Sequence, residues 1–259
     1  MSRAIDFNFS HLFEGIIWNT VIIPSHNILL VESRNVDQKK TFFSALNALT
    51  GTFLWKDVVF DEPWWISLNA AAGRTALFTV YLGTDNPDKK GIFGYDVFDQ
   101  KIVWWNNDFS LVAVGNELVK GIASKYGHRD ITLALQSGLE VTSADELIPI
   151  DDAVLRPSQY IEGHEHFITI KNFLTTRFNL SPIAALEYVE HESLIFISFY
   201  EAEGELANYL MITSSTGFVM LTEKLDEHLK GIGLDTFFLY AGCVLFVKNK
   251  KELFSYKIV

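Results

Sequence analysis

The sequence predicts an all-β fold, and within that class a β-propeller, from three observations. Aromatic residues make up 14% of the 259 residues, and flat rings pack well on the pleated, half-buried surface of a sheet. Short apolar segments rich in β-branched and aromatic side chains recur along the chain, and Gly, Asn, Asp or Pro bounds each of them. A hairpin-like segment also repeats at intervals of about 40 residues, which is the length of one propeller blade.

The strand-like segments run through the whole chain. They are residues 28–32, 41–46, 76–82, 131–135, 167–170, 194–200, 209–213 and 244–248. Residues 181–188 and 223–230 could instead form short helices, because Pro182 follows Ser181 at the start of one and Gly231 ends the other. Neither helix would be long enough to change the fold class. No linker rich in Pro, Gly or Ser divides the chain, so we expect a single domain over residues 1–259.

The repeat is clearest in residues 45–55, where a Thr-Gly turn at Gly51 precedes Trp55. Residues 94–104 keep a polar turn and end in Trp104, and a later copy restores Thr-Gly at Gly217. When the copies are aligned, the turn falls at residues 51, 100, 138, 176 and 217. The fourth copy comprises residues 170–180. With a further copy running off the C-terminus, we expect six blades, with five as the alternative.

The two chain ends are expected to pair. Residues 254–258 begin a copy that lacks its outer strand, while Ile5, Phe7 and Phe9 alternate with polar residues as a strand would. Pairing the N-terminal strand with the C-terminal blade would remove an open sheet edge that otherwise invites aggregation. We therefore predict a propeller closed by its own ends.

Residues 45–55 resemble the repeat of the quinoprotein-like (PQQ-repeat type) propellers, whose pattern is Ala, Asp or Asn, Thr-Gly and Trp. The resemblance implies that Gly51 permits the turn and that Trp55 docks between neighbouring blades. Trp104 matches the docking position in the second copy, and Gly217 matches the turn position in a later one. The whole chain also resembles an uncharacterised bacterial single-propeller family of about this size, and that resemblance implies no established activity.

The chemistry of the quinoprotein dehydrogenases is not expected here. Those enzymes are larger, exported, and typically place a vicinal cysteine pair beside the cofactor, whereas this chain has the single cysteine Cys243 and no export signal. The similar outer-membrane assembly lipoproteins would need a lipobox, which is absent. The longest apolar run, residues 237–247, is shorter than the ~20 residues that span a bilayer. We expect a cytoplasmic protein without a cofactor.

Composition excludes several classes of partner and activity. A hydrophobic content of 49% and a charged content of 20% are typical of a globular chain. The formal net charge of -11 disfavours nucleic acid and anionic membranes, since binding phosphates needs a basic surface. The chain also lacks the Gly-x-Gly-x-x-Gly, Walker and Gly-x-Ser-x-Gly motifs of common nucleotide-binding folds and serine hydrolases.

Charge divides unequally between the two ends of the predicted blades. In a four-stranded blade, the loop between the second and third strands opens on the same face as the loop that leads to the next blade. In this sequence those loops are long and charged. The turns of the opposite face are short and almost uncharged. We call the first the charged loop face, and its candidate contact residues are Asp61, Glu62, Trp64, Trp105, Asp108, Asp145 and Glu146. Solvation alone would explain the charges; the alternative is a working face that attracts cations or a basic partner.

His164-Glu165-His166 is the sharpest metal candidate. On a strand, residues two apart project from one face, so both imidazoles would reach one ion, with Glu162 or His191 completing the shell. No third ligand is fixed by spacing, and a surface strand with two neutral histidines is the simpler interpretation. We therefore expect no bound metal.

Two classes of function remain. Because the repeat carries no recognisable catalytic signature, we favour a non-enzymatic scaffold that binds a protein partner or a small ligand through the charged loop face. The alternative is a small-molecule hydrolase or lyase with acid/base carboxylates at the mouth of the central channel. A pocket holding two or more carboxylates of raised pKa would favour the enzyme.

Overall fold

The structure is a computed structural model that describes residues 4–83, 89–125, 127–142, 146–151 and 153–259. The fold is all-β, as predicted. In chain order the strands are β1 (Ile5–Leu12), β2 (Ile16–Ile23), β3 (Ile28–Asn35), β4 (Lys40–Asn47), β5 (Phe53–Val58), β6 (Ile66–Ala72), β7 (Thr75–Tyr81), β8 (Lys90–Asp96), β9 (Lys101–Asn106), β10 (Ser110–Val114), β11 (Leu118–Ala123), β12 (Arg129–Ala134), β13 (Ser158–Ile161), β14 (Ile183–His191), β15 (Leu194–Glu203), β16 (Glu205–Ser214), β17 (Val219–Leu229), β18 (Phe237–Tyr240), β19 (Cys243–Lys248) and β20 (Glu252–Ile258). A 3-10 turn (Pro24–His26) follows β2, and helix α1 (Glu165–Phe178) follows β13.

Within the described ranges, these strands form five antiparallel sheets of three to five strands. Sheet I has the order β2-β3-β4-β5, sheet II β6-β7-β8-β9 and sheet III β10-β11-β12. Sheet IV has the order β13-β14-β15-β16-β17, and sheet V the order β1-β20-β19-β18. Sheets I to III are built from consecutive strands joined by hairpins, which is the local topology that the repeat predicts.

The two chain ends lie side by side in sheet V. β1 pairs antiparallel with β20, with Ile5 opposite Ile258 and Phe7 opposite Tyr256. Ala4 and Val259 exchange two backbone hydrogen bonds, of 2.9 and 3.0 Å. The N-terminal strand therefore occupies the outer position next to the C-terminal strand.

The chain divides into two compact units. Unit A comprises residues 13–152 and holds sheets I, II and III; unit B comprises residues 1–12 and 153–259 and holds sheets IV and V with α1. Each unit has its own buried clusters between neighbouring sheets, and unit B has a further cluster between α1 and sheet IV. The expectation of a single domain over residues 1–259 stays a prediction.

Aromatic rings fill the core between sheets I and II. Phe43, Phe78 and Phe93 are fully buried, and the Phe78 ring stacks on Phe93 with centroids 5.1 Å apart. Phe60, in the connection between the two sheets, packs edge-on against Phe78 and Phe93, each at 5.1 Å. The aromatic excess of the sequence is therefore used to join one sheet to the next, where such pairs add to the burial of their area.

Residues 165–178 form a helix, which corrects two predictions. Residues 167–170 were expected to be a strand and residues 170–180 a copy of the repeat. The buried positions Phe167, Ile170 and Leu174 are spaced three and four apart and pack on sheet IV, which is helical periodicity. The helix ends at Asn179, whose φ of 58° is a left-handed C-cap. The six-blade count depended on this segment as one of its copies.

The two segments considered as short helices are strands. Residues 181–188 lead into β14, and residues 223–230 lie largely in β17. Apart from residues 167–170, the other predicted strand segments fall on observed strands. Among the residues that the structure describes, no helix has the length and apolar character needed to cross a bilayer.

Candidate interaction face

An indole–guanidinium stack lies at the charged loop end of sheets I and II in unit A. The Arg34 guanidinium, at the end of β3, lies 5.1 Å from the Trp18 ring and 5.7 Å from the Trp64 ring. Trp18 comes from the start of β2, and Trp64 from the connection that leads into β6. Trp18 is 66% exposed, so the stack presents an indole to solvent with its cation already in place.

The buried carboxylate of Glu32 fixes Arg34. Arg34 Nε donates to Glu32 Oε1 over 2.7 Å, and Arg34 Nη2 donates to both the Ile66 carbonyl and the Ser67 hydroxyl. Glu32 Oε2 accepts the backbone N–H of Leu68 in β6 over 2.8 Å. Burial raises the pKa of the Glu32 carboxyl, and the Leu68 N–H and Arg34 oppose that rise. Glu32 therefore joins sheet I to sheet II while it orients the stack.

Two more exposed indoles lie at the same ends of these sheets. Trp65 is 52% exposed and packs edge-on against Tyr81, with ring centroids 6.1 Å apart. Trp105 is 43% exposed and stacks on the buried Phe93 ring at 4.9 Å, with planes within 6° of parallel. The Trp105 Nε1–H donates to the Asn107 side chain. Both rings are thus held rigidly with one surface left open.

In each of the two tryptophan pairs, one ring is more exposed to solvent than the other. In β9 the alternation of a strand buries Trp104 and exposes Trp105. Trp64 and Trp65 precede β6, so strand alternation does not apply to them. Trp64 is half-buried against Arg34, and Trp65 is the exposed member.

The acidic residues of the face mostly hold its loops. Glu62 Oε1 accepts the backbone N–H groups of Trp64 and Trp65 over 2.9 and 2.8 Å, which positions both indoles. Asp61 is exposed beside it. Glu62 therefore acts on the face through the two tryptophans that it positions.

Asp108 has a similar role in the next connection. Its carboxylate accepts the backbone N–H of Ser124 over 2.8 Å and that of Lys125 over 2.9 Å. These bonds tie the β9–β10 connection to the β11–β12 connection of sheet III. Of the remaining candidates, Glu146 is exposed and Asp145 lies outside the described residues.

Both predicted docking tryptophans bridge consecutive sheets. Trp55 in β5 donates its Nε1–H to the Val97 carbonyl, just after β8, over 2.8 Å. Trp104 in β9 donates to the Leu135 carbonyl, just after β12, also over 2.8 Å. Each indole lies opposite a small residue of its own sheet, Ala45 or Gly94. The last strand of each sheet thus reaches the third strand of the next.

The turn at residues 135–138 fits the Trp104 ring closely. A Cβ built on Gly138 would lie 2.5 Å from Trp104 Cδ2, and Gly138 has φ of +65°. Both the ring and the backbone conformation therefore require glycine there. Gly51 and Gly217 occupy the matching turns after β4 and β16, with φ of 73° and 86°.

Unit B holds a second buried carboxylate, which the sequence analysis missed. Glu187 in β14 accepts the Thr236 N–H over 2.9 Å and the Thr236 hydroxyl. Thr236 Oγ1 lies 2.8 Å from the buried Ser198 Oγ, which accepts from Asn208. Burial raises the pKa of the Glu187 carboxyl, while the Thr236 donors and the Asp235 backbone N–H lower it and the charge of Asp235 raises it. Glu187 thus joins sheet IV to the segment that leads into β18 of sheet V.

The candidate metal residues begin a helix and do not lie on a strand. His164 is the N-cap of α1, and its Nδ1 accepts the His166 backbone N–H over 3.2 Å. The two imidazoles pack with Tyr160, at centroid distances of 5.0 to 5.2 Å. Throughout the described ranges, no three His, Cys, Asp or Glu side chains lie close enough together to hold a metal ion.

Unit B also has a shallow surface cleft of about 350 Å³ between the ends of β16 and β17. Its ionisable side chains pair with one another: His228 with Glu205, and Lys224 with Glu227 over 2.8 Å. The carboxylates of raised pKa, Glu32, Asp57 and Glu187, do not line this cleft.

Residues 22–104 match a family described as a domain of unknown function (DUF4905). The matched range runs from the end of β2 to Trp104 and so takes in most of sheets I and II with both docking tryptophans. No curated protein sequence matches the chain.

Several solved structures are similar to the chain at low identity. BamB from Moraxella catarrhalis is 13% identical with a TM-score of 0.40, over 98% of this chain and 88% of that chain. The β-propeller domain of the Trilobed protease from Pyrococcus furiosus is 8% identical with a TM-score of 0.33, over 97% and 72%. TolB from Acinetobacter baumannii is 13% identical with a TM-score of 0.33, over 82% of this chain and 44% of that chain, so this chain spans less than half of TolB.

Proposed function

We propose that the chain is a five-bladed β-propeller that acts as a non-enzymatic scaffold and binds a partner protein through its charged loop face. Three features support the propeller: antiparallel sheets of consecutive strands, indoles that bridge one sheet to the next, and a first strand paired with the last. On this proposal each of the five described sheets is one blade. β1 supplies the outer strand of the fifth, β13 is the first strand of the fourth, and α1 connects β13 to β14.

The observation that carries the binding role is the set of exposed indoles in unit A. Trp18, Trp65 and Trp105 expose between 43 and 66% of their surface, and all three are held by aromatic or cationic neighbours. Leaving large apolar rings in water is unfavourable, whereas Trp, Tyr and Arg are the residues that dominate the energy of protein interfaces. Rigid indoles also lose little conformational entropy on binding.

The carboxylates favour a scaffold over the hydrolase or lyase. Glu62 and Asp108 accept backbone N–H groups of the loops, and Glu32 and Glu187 each accept an N–H from the neighbouring sheet. A carboxylate engaged in this way holds structure and is poorly placed to exchange protons with a substrate. The acidic residues of the face therefore serve to position the surface.

The test is affinity capture from the native host with the full chain as bait. We compare wild type, the double variant Trp18→Ala/Trp65→Ala, and the control Phe218→Ala. The control removes an exposed ring from the β16–β17 turn of sheet IV, which is one of the short turns that do not belong to the charged loop face. The proposal predicts a protein captured by wild type and by the control and lost by the double variant. Capture that the double variant retains, or reproducible turnover of a small molecule without a partner, would contradict it.

A further inference from the structure

Helix α1 begins with a histidine in the capping position. N-cap residues are usually Ser, Thr, Asp or Asn, whose side-chain oxygen accepts a free N–H of the first turn. Here the N-cap is His164, and its Nδ1 accepts the His166 backbone N–H over 3.2 Å. An acceptor at Nδ1 requires the neutral imidazole with its proton on Nε2. The side-chain cap therefore exists only while His164 is uncharged.

Protonation of His164 removes this acceptor and adds a positive charge at the positive end of the helix. An imidazolium donates from both ring nitrogens and cannot accept the His166 N–H. The partial positive charge of a helix N-terminus also disfavours a cation there. The His164 and His166 rings lie 5.2 Å apart between centroids, so charging both of them adds repulsion. All three effects destabilise the first turn of α1.

Within the described part of the chain, these two imidazoles are the groups around the cap that change charge between about pH 8 and about pH 5. Carboxyl groups ordinarily titrate below this range, and phenols and ammonium groups above it. Glu162 does not replace the lost acceptor, because its Oε2 accepts the Ala184 N–H over 3.3 Å and its Oε1 lies 3.9 Å from Lys171 Nζ. The neighbouring groups are Tyr160 on β13, Glu162 in the β13–α1 connection, Glu165 and Lys171 on α1, and Tyr188 with its bonded Glu190 on β14.

The other end of α1 is held by contacts that do not titrate in this range. The C-cap Asn179 donates its backbone N–H to the Leu174 and Thr175 carbonyls. Ile170 and Leu174 are buried against sheet IV. A fall in pH therefore acts on the N-terminal turn of the helix and leaves its C-terminal half in place.

We propose that His164 is an acid-sensitive cap whose protonation opens the first turn of α1 and loosens Phe167 from sheet IV. Phe167 is 1% exposed and packs in the cluster that includes Leu186, Ile197 and Phe199, so the opening uncovers apolar side chains of that sheet. The proposal does not depend on the binding role of the charged loop face, since none of the residues of that face takes part.

The experiment is native-state hydrogen exchange of the full chain at about pH 7.5 and about pH 5.5, with a chelator present. Each rate is divided by the intrinsic rate at that pH, so that protection of the amides is compared. In wild type the His166 and Ile168 amides should lose about fivefold in protection at the lower pH, the effect of losing one N-cap. The amides of residues 175–178 at the other end of α1 are the internal reference and should stay unchanged.

Three variants sharpen the test. His164→Asn keeps a side-chain acceptor that does not titrate, so its first turn should be equally protected at both pH values. His164→Ala has no acceptor at either pH and should show the lower protection already at about pH 7.5. The matched control is His191→Asn, which replaces a partly exposed histidine at the end of β14 in the same unit and should respond to pH as wild type does.

The two ends of α1 within wild type are compared without any variant, so a substitution that fails to fold leaves the test intact. A first turn protected equally at both pH values in wild type would overturn the proposal. A loss that affects both ends of the helix alike, persists in His164→Asn or disappears in His191→Asn would do the same.

Discussion

The two units join their sheets with the same device and supply it with different partners. In unit A, Glu32 reaches from sheet I to the Leu68 N–H and is paired with the Arg34 guanidinium. In unit B, Glu187 reaches from sheet IV to Thr236 and is held by an N–H and a hydroxyl. Only the Glu32 site contains a cation that would be left unpaired if the carboxylate were removed. A buried acid between sheets can therefore be stabilised by a counterion or by neutral donors, and replacing it lowers the free energy of unfolding by different amounts in the two cases.

In unit A, buried indoles also bridge neighbouring sheets. Comparing alanine variants of the adjacent residues Trp104 and Trp105 shows how much this bridging contributes to the free energy of unfolding. We expect Trp104→Ala to lower the free energy of unfolding by about 4 kcal/mol, because it leaves a cavity and an unpaired Leu135 carbonyl. Trp105→Ala is expected to cost about 1 kcal/mol, because its ring is partly exposed. Urea unfolding measures both. Equal losses in the two variants would show that Trp104 does not join sheets II and III.

The comparison of the two glutamates predicts the next largest effect. Glu32→Gln should cost about 3 kcal/mol at pH 7, because Arg34 loses its counterion in a largely buried site. Glu187→Gln should cost less than about 1 kcal/mol, because the amide oxygen still accepts from Thr236. Chemical denaturation of the two variants under one buffer makes the comparison. The contrast fails if Glu187→Gln proves the more destabilising substitution.

Close packing of the bridge is tested by glycine replacement. Gly138→Ala places a methyl group against the Trp104 ring, whereas Gly73→Ala has a similar φ of +57° and meets only a flexible side-chain nitrogen at 3.9 Å. Both variants place an alanine in a left-handed backbone conformation, so the difference between their unfolding free energies reports the clash of the methyl group with the Trp104 ring. We expect Gly138→Ala to be the less stable by about 2 kcal/mol. Indistinguishable unfolding midpoints would mean that the turn does not pack on the indole.

The smallest effect is the pH dependence that Glu187 contributes. Burial raises its pKa in the folded chain above the value in the unfolded chain, so the folded state holds the proton more tightly. The contribution of Glu187 to the free energy of unfolding is then full below the unfolded pKa and declines as pH rises through the folded pKa. The stability of wild type minus that of Glu187→Gln should therefore fall with pH from about 4.5 upward, while the contribution of Glu32 cancels. A difference that grows with pH would contradict the raised pKa.

The sequence predicted the fold best where signals are local. Apolar runs bounded by turn residues located most strands, and the resemblance of residues 45–55 to the quinoprotein-like repeat pointed to the docking tryptophans, because turn and indole belong to one hairpin. Helix α1 was missed because Phe167, Ile170 and Leu174 were interpreted as part of a strand repeat, although their spacing is helical. Periodicity over the full segment would have separated the two.

The candidate site was predicted only in part because its contacts are long-range. Glu62 and Asp108 were expected on the charged loop face from their positions in the loop connections. The stack of Trp18, Arg34 and Trp64 could not, since its members come from three separated elements that meet only in the folded chain. Glu32 did carry a signal, a lone acid inside the buried run of residues 28–33. A charge in such a run needs a buried partner, and that rule points to Arg34 two residues later.

Closure of the chain by β1 is tested most directly by native-state hydrogen exchange of the full chain. If β1 completes the sheet that contains the C-terminal strand, its amides that bond to β20 should exchange as slowly as those of β19 and open only with the unfolding of that sheet. Amides in β1 that exchange at the rate of a free terminus, while β19 stays protected, would contradict a propeller closed by its own ends.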